Sequence, residues 1–584
     1  MEVVQSDVAI IGAGGAGLRA AIAIAQADPR IRIALISKVY PMRSHTCAAE
    51  GGAAGVIKPD DSLEHHFNDT VGGGDWLCDQ DAVDYLVQEA PRELVQLEHW
   101  GCPWSREPDG SVAVRPFGGM KKQRTWFAAD KSGFHILHTL FQTSLQFDSI
   151  RRFDEYYATE LLLHDGRCAG FTAIEMRSGQ MRRFDARAVI IAGGGAGRIF
   201  PFTTNGAIKT GDGMALAYRA GVALKDMEFV QYHPTGLPST GTLLTEACRG
   251  EGGVLLNKHG RRFLQDYGMG PETPLGRPVL KTMELGPRDR VSQAFWQEQK
   301  KGNMVPTQWG DAMLLDMRHL GEKKINERLP LVRDMSISYM GVDPVTDPVP
   351  VRPVVHYMMG GIHTDIRAAT ALPGLFAAGE CACVSINGAN RLGSNSLTEL
   401  LVFGRRAALS AMEYLSSNAS FRPSGSGQSD DALKRIRELL QGTGGGETVA
   451  GLRKEMMHTM EQHAGIYRDE KGLAAACATL AGLRARYRRI ELHDRTNVYN
   501  TDLLQALELG SMLDCAEAIA QSALARRESR GAHQRLDFVE RDDRNFLRHS
   551  LAYFDPVSKP KIEYLDVTIT KSQPGVRDYS GNHE

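Results

Sequence analysis

Arginine, histidine and glutamate side chains recur in four short, glycine-containing stretches in the middle of the chain. They are QYHPTG (231–236), LLTEACRGEGG (243–253), GPRDRVSQA (286–294) and VVHYMMGG (354–361), which leads on to NGANRLGSNSL (387–397). Together they supply the candidate residues His233, Thr245, Glu246, Arg249, Arg288, His356 and Arg391. Arginine pairs bidentately with carboxylates, and histidine adds directional donors. The set therefore favours a site for a small dianion.

Two of these arginines and the glutamate could form a proton relay. Arg249, Glu246 and Arg288 can pass protons if burial brings one guanidinium pKa low enough for exchange. Each residue alone has an ordinary interpretation as a surface ion pair or a capping contact. The functional interpretation depends on the cofactor fold around the whole group.

One loop near the N-terminus contains a histidine that we expect to contact a flavin. The loop is KVYPMRSHTCAAEGG (38–52), and His45 lies in it between Ser44 and Thr46. A short apolar strand, IRIALIS, precedes the loop, which ends in small residues and two glycines. We interpret the loop as wrapping a flavin, with His45 bonded to it covalently. A lone His-Thr pair would not support this interpretation, which rests on the elements before and after it.

The first element is a βαβ dinucleotide-binding unit. Residues 3–11 predict a fully buried strand, which is followed by the glycine pattern of Gly12, Gly14 and Gly17 and by an alanine-rich helix. Gly12 permits the tight turn, Gly14 lets the backbone approach a pyrophosphate, and Gly17 lets helix and strand pack closely. The helix N-terminus presents unpaired N–H groups to the anion.

Later segments predict that the cofactor contacts return far along the chain. A second glycine run ends a buried strand in AVIIAGGGAGRIF (188–200), and the apolar segment GLFAAGE (374–380) ends in an acid. This layout is typical of two-dinucleotide-fold flavoproteins and favours FAD over NAD. The second strand, at 31–37, ends in Ser37 and Lys38 without an acid, so a ribose hydrogen bond would come from the Ser37 hydroxyl.

The composition and the spacing of apolar residues in the remaining sequence predict an α/β protein of several domains. We expect a Rossmann-like FAD-binding domain with an inserted α+β capping domain, then a helical domain and a short tail containing strands. The capping domain is rich in Pro and Gly, and the helical domain has apolar stripes at helical spacing. The predicted bounds are 1–231 and 351–410 (FAD-binding), 232–350 (capping), 411–430 (linker), 431–540 (helical) and 541–584 (tail).

Composition excludes several functional classes. The 584 residues carry a formal net charge of −2 without a basic block, which argues against a nucleic-acid partner. No apolar run approaches a membrane span, and the N-terminus is not a signal peptide. None of the nine scattered cysteines forms a Cys-x-x-Cys pair, so we expect no metal or iron–sulfur ligation by this chain. Scattered thiols suit a reducing compartment such as the bacterial cytoplasm.

Long motifs over nearly the whole chain resemble the succinate dehydrogenase/fumarate reductase flavoprotein family, and within it the flavoprotein subunits of bacterial quinol:fumarate reductases. The matching segments are DVAIIGAGGAGLRAA, KVYPMRSHT, GGDWLCDQD, WGCPWSR, RTWFAADKSGFH, DMEFVQYHPTG, TEACRGEGG, MGPETPLG, ELGPRDRVSQAFW, HYMMGGIHTD, GANRLGSNSLTELLVFGR and ESRGAHQRLD.

The resemblance implies a role for each candidate residue. RSHT would place an 8α-histidyl FAD bond on His45, and GPRDR would make Arg288 the proton donor to fumarate, with Glu246 and Arg249 relaying protons. The other residues implied to contact the dicarboxylate are His233, Thr245, His356, Arg391 and, from RPFGGM, Phe117. The implied FAD contacts are Gly12, Ala13, Gly14, Gly15, Ala16, Ser37, Lys38, Arg43, Ser44, Thr46, Ala48, Ala49, Glu50, Gly51, Gly52, Ala158, Asp212, Tyr357, Glu380, Arg391, Ser394, Ser396 and Leu397.

The resemblance also implies an activity and partners. FAD would deliver hydride to fumarate, and quinol would supply the electrons through an iron–sulfur subunit and membrane anchor subunits. The chain would then lie peripherally on the cytoplasmic face of the bacterial inner membrane. Glu50 matches dedicated fumarate reductases, whereas succinate dehydrogenases usually carry Gln there.

Four other functions are weighed against this one. A succinate dehydrogenase flavoprotein would work mainly in the oxidative direction. L-aspartate oxidase shares the fold but lacks the histidyl bond, so flavin retained by the denatured protein would argue against it. A flavin-binding tRNA-modification scaffold would need a basic face. A catalytically inactive structural subunit would not support fumarate-dependent oxidation of reduced viologen.

Overall fold

The computed structural model of the chain describes residues 1–418, 426–442 and 446–577. Its strands are β1 Glu2–Ile11, β2 Ile33–Ser37, β3 Ala53–Ala54, β4 Val114–Arg115, β5 Thr125–Trp126, β6 Ile150–Asp154, β7 Tyr156–His164, β8 Arg167–Glu175, β9 Gln180–Ile191, β10 Leu224–Lys225, β11 Val230–Gly236, β12 Val254–Leu256, β13 Val305–Thr307, β14 Gly310–Asp316, β15 Val349–Met358, β16 Gly361–His363, β17 Leu375–Ala377, β18 Ala382–Cys383, β19 Tyr467–Arg468, β20 Gln534–Arg535, β21 Arg548–Tyr553 and β22 Lys561–Asp566.

The helices alternate with these strands in the first half of the chain and dominate the second half. They are α1 Gly15–Ala27, α2 Leu63–Gly73, α3 Gln80–His99, α4 Ser132–Ser144, α5 Asp212–Arg219, α6 Ala247–Gly250, α7 Arg288–Lys300, α8 Gly321–Arg328, α9 Pro330–Met340, α10 Asn395–Ser417, α11 Ser426–Gln441, α12 Val449–His463, α13 Glu470–Tyr487, α14 Thr501–Ala525 and α15 Asp543–Phe546.

The largest sheet of the described chain has the order β6-β2-β1-β9-β8-β7, and β17 also pairs with β9. Strands β6, β2, β1, β9 and β17 are parallel, whereas β8 and β7 add an antiparallel extension. The prediction that residues 3–11 are fully buried is wrong for the first half of β1, where Val3 is exposed. The reason is that β2 pairs with β1 only from Val8 onward, so the start of β1 has a neighbour on one side only.

Helix α10 packs across α1, and the two helices approach closely at Gly404. A Cβ there would lie 2.7 Å from the Ala16 carbonyl oxygen, so only glycine permits this crossing. The predicted linker at 411–430 is wrong at both of its ends. Residues 411–417 complete α10 because Ala411 and Leu415 are buried, and residues 426–430 begin α11. The part of the linker at 419–425 lies outside the described residues.

The inserted cap contains a sheet with the order β11-β15-β14-β12, and β13 pairs with β14. Its own buried core includes Leu255, Phe295 and Val351. The predicted boundaries at 231/232 and 350/351 fall inside β11 and β15, which pair with each other. The cap is therefore joined to the FAD-binding domain through a two-stranded antiparallel connection.

Helices α12, α13 and α14 pack together in the C-terminal half. Most residues of the predicted stripes are buried there, including Met456, Met460 and Leu480, whereas Met457 and Tyr487 are half-buried. The tail returns to the first domain, because β21 pairs with β10 and extends the sheet β18-β16-β10-β21-β22. Within the described ranges no helix is long and apolar enough to cross a membrane. The mixed α/β architecture of the prediction is confirmed.

Candidate functional site

The turn between β1 and α1 forms a cradle with space for a phosphate group. Gly12 has a φ of +113°, and a Cβ on it would lie 2.2 Å from the Ala192 carbonyl oxygen. A Cβ on Gly17 would lie 1.8 Å from the Gly12 carbonyl oxygen. Glycine is therefore required at both positions, and the N-terminus of α1 faces the cavity, where the Gly15 N–H donates to Thr46 Oγ1 at 3.1 Å.

A cavity of about 460 Å³ extends from this turn, which is within the usual range for ligand sites. The segments that line it come from β1, β2, the His45 loop, β7 and the segments around 192–213, 356–357 and 378–380. Most of the predicted cofactor residues line it: Gly12, Ala13, Gly14, Gly15, Ala16, Ser37, Lys38, Ser44, His45, Thr46, Ala48, Ala49, Glu50, Ala158, Asp212, Tyr357, Glu380, Ser396 and Leu397. The cap contributes Thr240, Thr242 and Leu243 to the same wall.

The remaining predicted cofactor residues lie outside the cavity lining: Arg43, Gly51, Gly52, Arg391 and Ser394. Arg43 is exposed. Gly51 and Gly52 lie between the cavity and the buried cluster described below, where a Cβ on Gly51 would lie 2.8 Å from the Phe117 ring. The Ser394 hydroxyl oxygen accepts a hydrogen bond from Thr125 Oγ1 at 3.0 Å.

The His45 loop lies against α4 and turns twice in short 3-10 helices, Pro41–Arg43 and His45–Ala48. A Cβ on Gly133 of α4 would lie 2.1 Å from the Thr46 carbonyl oxygen, so the helix approaches the loop closely. The Gly206 N–H donates to His45 Nδ1 at 3.3 Å. Burial, and then the charge of Lys209, lowers the pKa of His45 to about 3. The imidazole is therefore neutral at pH 7.

Two lysines that face the cavity are paired with acids. Lys38 Nζ lies 2.6 Å from Asp212 Oδ2 and 2.8 Å from Glu508 Oε1. Lys209 pairs with Glu380, whose other oxygen accepts from the Met358 N–H at 3.2 Å. A buried hydroxyl, Ser44 Oγ, has no hydrogen-bond partner in the part of the chain that the structure describes. The glycine cradle, this unused hydroxyl and the helix N-terminus fit the phosphates of a dinucleotide.

Beside this cavity, the predicted dicarboxylate residues form one cluster around Glu246, in which every member is buried except His356, which is half-buried. Arg288 Nε lies 2.7 Å from Glu246 Oε2, and Arg249 Nη2 lies 3.6 Å from Glu246 Oε1. The rings of His233 and His356 have centroids 5.2 Å apart. His356 also lines the cofactor cavity, so the cluster and the cavity are adjacent. Phe117 and Thr245 are buried at the same place, against Gly51.

The cluster contains more positive than negative charge and several unused donors. Arg249, Arg288 and Arg391 face the single carboxylate of Glu246. Among the described residues, four buried atoms of the cluster have no hydrogen-bond partner: His233 Nε2, Arg249 Nε, Arg249 Nη2 and Arg391 Nε. Buried polar groups are rarely left unpaired in folded proteins. A bound dianion would balance the charge and accept these hydrogen bonds.

Burial determines the protonation states in the cluster. Burial, and then the charge of Arg288, holds the pKa of His233 and of His356 well below the usual range, so both imidazoles are neutral. Burial also lowers the pKa of Arg249, and burial followed by Arg288 lowers that of Arg391 to about 9. Burial acts to raise the pKa of Glu246, but Arg288 and Arg249 outweigh it, and the pKa is lowered.

The structure adds site residues that the sequence analysis did not select. Gln231 Oε1 accepts from Arg288 Nη1 at 3.2 Å, and Gly118 N–H donates to Glu246 Oε1 at 2.6 Å. Gln231 is the first residue of the QYHPTG motif, so its motif was a usable signal. Lys209 and Gly206 lie in a loop without any pattern that indicates a site.

Comparisons with known proteins agree with this geometry. A family described as "FAD binding domain" matches residues 7–397, which confirms FAD as the cofactor. A second, described as "Fumarate reductase flavoprotein C-term", matches residues 453–579. The chain is 57% identical to the fumarate reductase flavoprotein subunit of Haemophilus influenzae, over 100% of this chain and 98% of that protein. It is 41% identical to the succinate dehydrogenase flavoprotein subunit of Rickettsia bellii, over 97% and 95%.

The fold comparison gives the same result. A solved FrdA chain of Escherichia coli quinol fumarate reductase, determined as a point mutant, superposes with a TM-score of 0.98. It is 57% identical, and the match covers 100% of both chains. The resemblance in sequence motifs is thus confirmed over the full length. The chain belongs to the family of fumarate reductase flavoprotein subunits.

Proposed function

We propose that the chain is the flavoprotein subunit of a membrane-associated fumarate reductase that reduces fumarate to succinate with electrons from quinol. The observation that carries the proposal is the buried cluster, with three guanidinium groups and two neutral imidazoles around one carboxylate, beside the cavity of an FAD-binding fold. A four-carbon dianion matches the excess charge and the unused donors. The names of the most similar relatives support the same reaction.

The cluster can bind and polarise the substrate and supply the proton. FAD, when bound and reduced, supplies the hydride that one alkene carbon accepts. Arg391 and His356 would hold a substrate carboxylate, and their fixed donors would stabilise the charge that develops on it. Arg288 would transfer a guanidinium proton to the other alkene carbon, which completes succinate. Because Glu246 lies 2.7 Å from Arg288 Nε and 3.6 Å from Arg249, it can return a proton to Arg288.

We also propose that the flavin is bonded to His45 through an 8α link. The Gly206 N–H occupies Nδ1, so Nε2 is the nitrogen that remains for the bond. The low pKa of His45, about 3, keeps the ring uncharged, as bond formation requires. When the bond forms, Nε2 and the 8α-methyl group would each lose a proton, and the two electrons released would pass into the flavin ring, which would be left reduced.

The electrons would come from partner subunits. The E. coli relative is named a quinol fumarate reductase. By analogy, we propose an iron–sulfur subunit that docks on membrane anchor subunits, which bind the quinol. The flavoprotein would then lie on the cytoplasmic face of the inner membrane and be held there by its partners.

One experiment tests the reaction and the covalent bond together. Wild type, His45→Ser and His259→Ser are compared by flavin fluorescence after denaturing electrophoresis and by fumarate-dependent oxidation of reduced viologen. His259 is exposed and serves as the matched control. We expect fluorescence in wild type and in His259→Ser only. His45→Ser should bind FAD loosely, keep part of its fumarate reduction and lose most succinate oxidation.

Two results would contradict the proposal. Fluorescence in denatured His45→Ser would place the link on another residue. Wild type that carries FAD but does not oxidise viologen with fumarate would refute the activity. The ratio of the rates of fumarate reduction and succinate oxidation tests the preferred direction of the reaction. The chain is 57% identical to a fumarate reductase subunit and 41% identical to a succinate dehydrogenase subunit, which does not favour the succinate dehydrogenase alternative.

A further inference from the structure

The C-terminal tail crosses from the FAD-binding domain to the cap. After β22 it runs along the start of α3, where Gln80 Oε1 accepts from the N–H groups of Thr570, Lys571 and Ser572 at 2.9 to 3.0 Å. Gln80 Nε2 donates to the Ser572 carbonyl at 2.6 Å, and Trp76 Nε1 donates to its hydroxyl at 3.1 Å. The tail is therefore fixed to the FAD-binding domain up to Ser572.

Beyond this anchor the tail reaches the cap through Arg577. Its Nη1 and Nη2 donate to the two carboxylate oxygens of Asp289 at 2.6 and 3.0 Å. The pair is buried, with 5% of the Arg577 side chain and 1% of the Asp289 side chain exposed. Arg577 Nη1 also lies 3.8 Å from Asp75 Oδ2 in the FAD-binding domain. One guanidinium group thus holds carboxylates of two domains.

Asp289 is the residue after the proposed proton donor. Arg288 and Asp289 form the first turn of α7, the cap helix. The same helix touches the C-terminal half further along, where Gln293 Nε2 donates to the Gly531 carbonyl at 3.1 Å and Gln297 Nε2 donates to Tyr467 Oη at 3.1 Å. The Arg577 pair is therefore the contact nearest to Arg288 in a series that holds α7.

We propose that Arg577 is a positioning residue, which acts through Asp289 to hold the start of α7 and so aligns Arg288 with Glu246 and the substrate. The bidentate fork fixes one orientation of the carboxylate, which a single point charge does not. A buried ion pair often adds little to folding stability. We therefore assign this pair a role in positioning α7. The inference rests on the proposed role of Arg288 in fumarate reduction.

The test compares Arg577→Gln, Arg577→Lys and Asp289→Asn with wild type in the complete enzyme. Lys571→Ala is the matched control, because Lys571 lies on the same tail but pairs with Asp84, away from α7. Fumarate-dependent viologen oxidation per bound flavin is measured in H₂O and D₂O. The exchange of the 288–300 backbone amides is followed separately.

The proposal makes specific demands on these variants. Arg577→Gln should lower kcat about 10- to 100-fold, the effect expected when a reacting group is misplaced by about 1 Å. Its solvent isotope effect on kcat should rise, because proton delivery becomes slower. The kcat of Arg577→Lys should lie between those of wild type and Arg577→Gln. A double variant that combines Arg577→Gln with Asp289→Asn should have a kcat no lower than that of the slower single variant. The 288–300 amides should exchange faster, and Lys571→Ala should resemble wild type.

Other results would overturn it. If Arg577→Gln lowers only the thermal midpoint and keeps kcat and the isotope effect, the pair has a structural role alone. If the effects of the two single substitutions on kcat add in full in the double variant, the two residues do not act through one contact. A wild type without fumarate turnover would refute the proposed function instead, and unchanged amide exchange in Arg577→Gln would still refute the contact with α7.

Discussion

Glu50 is a buried carboxyl group at the edge of the cofactor cavity, and its Oε2 has no hydrogen-bond partner within residues 1–418, 426–442 and 446–577. Burial, and then the charge of Asp130, raises the pKa of Glu50 well above its ordinary value. The folded protein therefore holds the Glu50 proton to a higher pH than the unfolded chain does. A carboxylate next to a flavin would oppose the negative charge that reduction brings, but a neutral carboxylic acid does not.

This protonation predicts that Glu50→Gln stabilises the protein at pH 7 to 8. The unfolded chain ionises Glu50 above a pKa of about 4.3, whereas the folded chain holds the proton, so folding stability falls as the pH rises above that value. Each unit of raised pKa corresponds to about 1.4 kcal/mol. Urea unfolding of wild type and variant from pH 4 to 8 measures the difference. Exposed Glu327→Gln is the control, and a gap that does not grow with pH would contradict the prediction.

At the residue scale, the motifs led the sequence analysis to residues that the structure brings together. His233, Glu246, Arg249, Arg288 and Arg391 all lie in one buried cluster. The unused donors of that cluster depend on how distant segments meet, which no local pattern encodes. The pairing of Lys209 with Glu380 joins residues 171 positions apart and was missed for the same reason.

At the element scale, replacing glycine by alanine should have opposite effects on stability at two helical positions, Gly17 and Gly482. Gly17 in α1 is required because a Cβ would lie 1.8 Å from the Gly12 carbonyl oxygen. Gly482 in α13 has nothing within 4 Å of the position that its Cβ would take. Its only effect is the backbone freedom that glycine adds to the unfolded chain.

We therefore expect Gly482→Ala to raise the free energy of unfolding by about 0.5 to 1 kcal/mol, because alanine is the better helix former. Gly17→Ala should destabilise the first domain and lose FAD, since the clash is with backbone and cannot be relieved by a side-chain rotation. Urea unfolding and the flavin content of the purified variants measure both effects. A destabilising Gly482→Ala would show that α13 makes a contact on that face.

Elements with a strong periodic pattern were predictable, and those that depend on distant partners were not. The β1–α1 turn and the stripe of α13 follow from local sequence. The end of α10 at Ser417 does not, because the burial of Leu415 against the first domain extends the helix into the expected linker. The sheet that joins β10 to β21 pairs residues more than 300 positions apart.

At the scale of the whole molecule, a buried ion network attaches the tail to the first domain. His549 of β21 lies between two acids, with Nδ1 2.7 Å from Asp226 Oδ2 and Nε2 3.2 Å from Asp79 Oδ1. Lys225 Nζ lies 3.5 Å from Asp79 Oδ2, which balances the two carboxylates with two cations when His549 is charged. The Thr568 N–H also donates to Asp79, so the network includes the start of the tail that carries Arg577.

The network makes the stability of the whole chain depend on pH in the alkaline range. Burial acts to lower the pKa of His549, but Asp226 and then Asp79 outweigh it and raise the pKa to about 9. Because the unfolded value is about 6.5, the stabilisation is complete below pH 6.5 and is lost as the pH rises through 9. The difference corresponds to about 3 kcal/mol. We expect the free energy of unfolding of wild type to fall more between pH 6.5 and 9.5 than that of His549→Gln.

Urea unfolding at several pH values, with exposed His259→Gln as control, isolates this contribution from the other groups that titrate in the same range. His549→Gln should be less stable than wild type at pH 6, and the gap should close by pH 9.5, because the wild-type histidine is then neutral as well. Equal pH slopes in wild type and His549→Gln would show that His549 is not charged in the folded protein. The tail would then be held to the first domain by its backbone pairing with β10 and by the contacts of residues 568–572, without a charged His549.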